Sequence, residues 1–169
     1  MISTNEKPYA NEAALWKAIL CNQKQAWLKM HTGSMYPLMP IGAFIFVNYF
    51  QIAHQKIRAG DIVLYIDDNQ LVAHRILKVN LAKNQCLQGG DNAVYTSLIC
   101  IDNIIGVVEK VKINEKEFDM SSRASLYFRL YITISSLAIG TIKQYLPKVG
   151  YLLHRVKIRL AYKMVKYLL

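Results

Sequence analysis

The chain has 169 residues, enough for one domain or one domain with an appendage. At 53% hydrophobic and 19% charged residues it can build a core, which excludes general disorder. The formal charge of +10 is uneven: nine basic residues and no acidic one follow Asp119, so a near-neutral body carries a basic, apolar tail.

Met1–Pro8 is polar and mixed in charge and reads as neither a secretory leader nor an N-terminal anchor. After a lead-in over residues 1–10, Asn11 caps a helix running to about Lys24, with Leu15, Trp16, Ile19 and Leu20 at helical spacing. Ala26–Met30 reads as a strand entering the turn Thr32-Gly33-Ser34-Met35-Tyr36-Pro37. In that turn Gly33 permits a tight bend and Pro37 pushes Tyr36 toward an extended conformation. Strands are expected over Ala43–Phe50, Ile62–Ile66, Leu71–Val79, Gln85–Gln88 and Ile104–Ile113. Gly/Asn/Asp turns separate them, and a small hairpin follows at Asn114–Lys116. The pattern predicts a mainly β body with coiled or barrel-like sheets.

From Ser121 the signal becomes helical. Leu130–Ile142 is uncharged for 13 residues, short of the ~20 that a bilayer span needs. Extending it back to Ala124 places Arg129 inside, so a membrane-surface or re-entrant helix is the expectation, with a true span as the alternative. Beyond Pro147 a second helix shows Val149, Leu153, Val156, Leu160, Met164 and Tyr167 at helical spacing, with Arg155, Arg159 and Lys166 to one side. Basic residues beside an apolar stripe suit an anionic membrane surface. The plainer alternative is a helical hairpin packed on the β body with solvated lysines. The tail is too apolar for nucleic acid and carries no helix-turn-helix pattern, so no nucleic-acid partner is expected.

Cys21, Cys86 and Cys100 are odd in number, form no CxxC, and stand at no ligand spacing from His31 or His54. Free thiols in a reducing compartment are expected, with no metal and no cofactor.

Three stretches carry candidate chemistry, in the order Ser34, His74, Asp91. A hydroxyl needs a base within hydrogen-bond reach to act as a nucleophile, and imidazole is the natural one at neutral pH. In Val72-Ala73-His74-Arg75-Ile76, period-two alternation puts Val72, His74 and Ile76 on one strand face and Arg75 on the other. Asp91, on the loop Gly89-Gly90-Asp91-Asn92, is the candidate to hold the second imidazole nitrogen. The competing reading of that loop is a turn and nothing more. Asp61 reads as a structural carboxylate. The Ser34 N–H and the Thr32 hydroxyl are the candidate oxyanion donors.

These stretches resemble the boxes of type I signal peptidases and their self-cleaving repressor relatives. Gly33-Ser34-Met35-Tyr36-Pro37 is similar to the G-S-M-x-P box, and Gly60-Asp61-Ile62-Val63-Leu64-Tyr65 to the G-D-I-V-V-[FY] strand. Val72–Ile76 resembles the general-base box, Gly90-Asp91-Asn92 the G-D-N box, and Ile105-Gly106-Val107-Val108 the closing I-G-x-V strand. The likeness spans residues 30–111, with the boxes in the family's order. His74 stands where most bacterial members have Lys, which is similar to the archaeal, endoplasmic-reticulum and sporulation-type branch. The sequence departs from the family at Ala43, in place of an aspartate, and at Tyr95-Thr96-Ser97, where that branch often carries a further aspartate.

The resemblance implies a signal-peptidase-like coiled β-sheet body, expected over 26–120. To this the residue pattern adds an N-terminal helix within 1–25 and, unlike the family's usual N-terminal anchor, a helical tail over 121–169. The resemblance also implies a serine endopeptidase that cleaves a leader or signal segment from a dedicated peptide or preprotein. Ser34 would attack and His74 would act as base and then acid. Asp91 matches the G-D-N aspartate, and Thr32 matches the hydroxyl that assists the oxyanion hole. Without an exporting segment the expected place is the cytoplasm, peripheral to the membrane. The alternatives are an inactive peptide-binding module on the same fold and a self-cleaving repressor, for which a DNA-binding head is missing.

Overall fold

A computed structural model describes residues 10–49 and 57–168; the lead-in up to Tyr9, Phe50 and His54 lie outside the described residues. In chain order the elements are α1 (Ala10–Gln23), β1 (Gln25–Lys29), β2 (Phe44–Tyr49), β3 (Ile62–Asp67) and β4 (Gln70–Asn80). Then come β5 (Gln85–Gly89), β6 (Ser97–Cys100), β7 (Ile104–Ile113), β8 (Lys116–Asp119), α2 (Arg123–Tyr145) and α3 (Pro147–Leu168).

The local chemistry explains the joints. Lys24 closes α1 in the left-handed region at φ 66°, its N–H returning to the Leu20 carbonyl. Asp68 and Asn69 both take positive φ, which makes the two-residue turn that suits the twist of the β3–β4 hairpin. Ser122 caps α2, its hydroxyl accepting from the Ser125 N–H.

The strands form one open antiparallel sheet in the order β1-β2-β7-β3-β4-β5-β6, rather than a closed barrel. β8 shares with β3 the second edge of β7. Register shifts at Phe46/Val47, Leu64/Tyr65 and Ile76/Lys78 add local bend and twist. The curl separates two apolar clusters. The larger holds Met35, Leu38, Ile62, Leu64 and Ala73 together with Phe128, Ile132, Ala161 and Val165 of the helices. The smaller holds Val63, Tyr65, Ile76, Cys86 and Ile99.

The tail is thus part of the core and not an appendage. Phe128 and Ile132 are fully buried, and truncating such a side chain costs about 3–5 kcal/mol. α3 departs from the expected orientation. Its inward face carries Gly150, His154, Lys157, Ala161 and Val165, while Val149, Val156, Leu160 and Tyr167 of the predicted stripe face out. Two polar side chains on the packed face and a row of apolar ones on the free face invert the usual surface helix.

Candidate active site

The serine turn is pinned at its root and along its length. Where β1 runs out, Met30 and Ala43 bond across the neck of the loop, and Gly42 returns its N–H to the Met30 carbonyl. Met35, Leu38 and Met39 are buried in the larger cluster, so the residues after Ser34 anchor it. The Tyr36–Pro37 peptide bond is cis. The Ser34 hydroxyl lies 3.3 Å from that of Thr32, and the Ser34 N–H donates to no group among the described residues. The two expected oxyanion donors therefore flank the candidate nucleophile.

Gly33 is not the crowded glycine. A Cβ there would meet only the Ile41 side chain, at 4.0 Å. Gly90 is: a Cβ on it would fall 2.5 Å from the Ser34 carbonyl oxygen. The next residues use that close approach. The Asn92 N–H donates to the same carbonyl at 2.8 Å, and the Asn92 side-chain amide reaches the Gly33 carbonyl at 3.4 Å. The Gly-Asp-Asn loop is a clamp on the backbone of the serine turn.

Asp91 does not hold His74, contrary to the sequence expectation. Its two carboxylate oxygens accept from Nε and Nη2 of Arg75, each at 2.7 Å, in a bidentate pair that is essentially closed to solvent. Arg75 completes its bonding on the Gly60 carbonyl at 2.7 Å and lies over the Phe128 ring. Register gives the reason. Arg75 faces Gly89 across the β4–β5 ladder, so the loop that follows Gly89 delivers Asp91 to Arg75. Asp61 is structural, as read: it accepts from the Arg58 N–H at 2.8 Å and pairs with Arg129 at 3.3 Å. Burial raises its carboxyl pKa.

His74 points the other way, opposite Val63 and toward the smaller cluster. Its Nδ1 lies 2.7 Å from Oε1 of Gln88 and 3.3 Å from the Tyr65 hydroxyl. An amide oxygen only accepts, so Nδ1 carries the proton. Gln88 is fixed in turn by its amide N–H₂, which donates to the Ser97 hydroxyl. Nε2 then keeps its lone pair, has no hydrogen-bond partner among the described residues, and is not sealed from solvent. Burial lowers the His74 pKa despite the opposing influence of Gln88 and the Asp91 charge, so the ring is a neutral base at pH 7. Burial pushes the neighbouring Tyr65 phenol up to about 12, so it stays a neutral hydroxyl.

The structure thus brings Ser34 together with Thr32 and with the Gly90–Asn92 loop, and His74 together with Gln88. It places no hydrogen bond between Ser34 and His74. The sequence reading missed Gln88, whose signal was a polar residue two positions before Gly90 in a strand otherwise turned inward. It also missed α3 as a wall of the site. Tyr162 stacks on Tyr36 with ring centroids 6.1 Å apart, and His154 reaches the Asn92 backbone. Lys157 is buried, donates to the Ser136 hydroxyl at 3.2 Å, and has its pKa lowered to about 8, chiefly by burial. A small cavity bounded by Gly90, Ala93, Ser136, His154 and Lys157 lies there.

Among the described residues no cluster of three or more His, Cys, Asp or Glu side chains could hold a metal ion, and the three thiols are free. No protein-family model matches the chain, and no curated protein matches it.

Proposed function

We propose that the chain is a serine endopeptidase of the signal-peptidase type, built on that family's coiled-sheet body. It cleaves a leader or signal segment from a dedicated peptide or preprotein in the cytoplasm, at the membrane periphery. The observation that carries the reading is the state of His74: a half-buried neutral imidazole, tied at Nδ1 by Gln88 and free at Nε2. That is what a general base requires.

In the proposed reaction Ser34 Oγ attacks the scissile carbonyl carbon while Nε2 of His74 takes its proton. The Ser34 N–H and the Thr32 hydroxyl receive the developing oxyanion. As the tetrahedral intermediate collapses, the C–N bond breaks and His74 returns the proton to the leaving amine. Water, deprotonated by the same ring, then releases the acyl group from Ser34. Asp91 has no part in these steps; its role is to fix Arg75 and, through the clamp, the serine turn. Because no hydrogen bond joins Ser34 to His74 in the resting structure, the mechanism requires substrate to draw them together, and catalytic hydrogen bonds commonly tighten in this way.

That same missing bond favours a second reading, a peptide-binding module without turnover. A fluorophosphonate probe separates the two. The peptidase reading predicts covalent labelling of the wild type that is lost in Ser34→Ala and in His74→Ala. Folded wild type that takes no label, yet retains a bound peptide, belongs to the second reading.

A further inference from the structure

The α2–α3 hairpin has one face committed and one face free. Inward, Phe128, Ile132, Ala161 and Val165 enter the main core. Outward, α2 exposes Leu130, Ile134 and Leu137, and α3 exposes Leu152, Val156 and Leu160. On α2 these fall at three- and four-residue intervals, opposite the buried Phe128 and Ile132. On α3 the outward apolar row lies beside exposed Lys148, Arg155, Arg159, Lys163 and Lys166. No acidic residue occurs anywhere in the hairpin.

We propose that this face docks in the plane of an anionic lipid bilayer, with the apolar rows at the acyl boundary and the basic rows against headgroup phosphates. The charge selects the occupant. Two copies of the hairpin would bring like charges together, whereas an anionic surface neutralises them. α2 is long and apolar enough to span a bilayer by composition, but one side of it is committed to the core. Spanning would pull Phe128 and Ile132 from the core and break the Arg129–Asp61 pair.

Docking also sets where the serine sits. α3 carries Tyr162 against Tyr36 and His154 against Asn92, so the helix braces the serine turn. The turn is then held beside the membrane by the same helix that docks on it. Vesicle binding needs no turnover, so docking stands or falls apart from the peptidase reading.

The test is co-flotation of the whole chain with phosphatidylcholine vesicles, with and without about one third phosphatidylglycerol. Wild type floats with the anionic vesicles and is released by salt. Ile134→Glu with Leu160→Glu weakens binding at least about tenfold, because two anchoring side chains are lost. Arg155→Glu with Arg159→Glu weakens it by a similar or larger factor at low salt. All four positions are exposed, and unchanged circular dichroism certifies the fold. Wild type that stays unbound with anionic vesicles overturns the proposal, as does either folded double variant floating like wild type. A lipid-free dimer dispersed by Ile134→Glu would also overturn it, assigning the face to a second copy.

Discussion

His74 and Arg75 are neighbours on one strand and end in opposite conditions. Arg75 is closed: three bonds of 2.7 Å, to Asp91 and Gly60, with no exposure to water. His74 is half open, with one nitrogen tied and the other without a hydrogen-bond partner among the described residues. Two faces of the same strand thus separate an ion pair that fixes backbone from the ring proposed to move a proton. A fully satisfied buried charged pair reads as architecture, and the partly satisfied imidazole beside it is the candidate for chemistry.

The comparison breaks most visibly in stability. Asp91→Ala leaves a buried guanidinium without its counter-ion and should cost about 3–5 kcal/mol in urea unfolding, as expected for a broken buried pair. His74→Ala should cost only about 1 kcal/mol, the worth of an ordinary hydrogen bond. Equal losses in the two variants would erase the division. Lys157→Met tests the same buried region with the opposite sign. The folded-state pKa of Lys157 is about 8, below its ordinary 10.5, so the unfolded chain binds the extra proton between those values. Wild-type stability should therefore rise with pH from about 8 toward 10.5, and at pH 7 the variant should be more stable by on the order of 2–3 kcal/mol. A flat difference between the two proteins across that window would show that the ammonium is not strained.

Gly90→Ala drives a Cβ at the Ser34 carbonyl oxygen, which is backbone and yields little. The expected cost is about 1–3 kcal/mol, with loss of probe labelling as the turn shifts. The smallest effects sharpen the His74 side. Gln88→Leu should slow labelling by part of the about 10²–10⁴ that a positioned base supplies. It should also move the pH profile to lower pH, because the Gln88 bond raises the His74 pKa. Gln88→Glu should restore the rate and move the profile upward, a response that loss of packing alone would not produce. In wild type, labelling should fall with acid only below the ordinary histidine pKa of 6.5, since burial keeps the ring neutral there.

Much of the strand body was legible because apolar alternation is a local signal. Ile104–Ile113 is β7 as predicted, and the Gly/Asn/Asp turns fall where the hairpins turn. The short, largely exposed β6 was not legible, since Ser97–Cys100 lacks an alternation of its own and exists by pairing with β5. The serine turn and the His74/Arg75 face split were also readable. The partner of Asp91 was not, because it depends on register across a ladder that shifts at Ile76/Lys78. A one-residue difference there would exchange the two faces. Gln88 follows from the same register, lying opposite Ile76 and so diagonal to His74. The outward stripe of α3 was visible as periodicity, but periodicity does not say which face packs. Small Gly150 and Ala161 decide that, by letting the helix approach closely.

The division between the two neighbours is tested most directly by nuclear magnetic resonance of the His74 ring nitrogens in the wild-type protein, titrated through neutral pH. The expected result is a neutral ring protonated at Nδ1, with Nε2 bare and a midpoint below 6.5, displaced when Gln88 is replaced by leucine. A neutral ring protonated at Nε2, or a midpoint indifferent to Gln88, would contradict it.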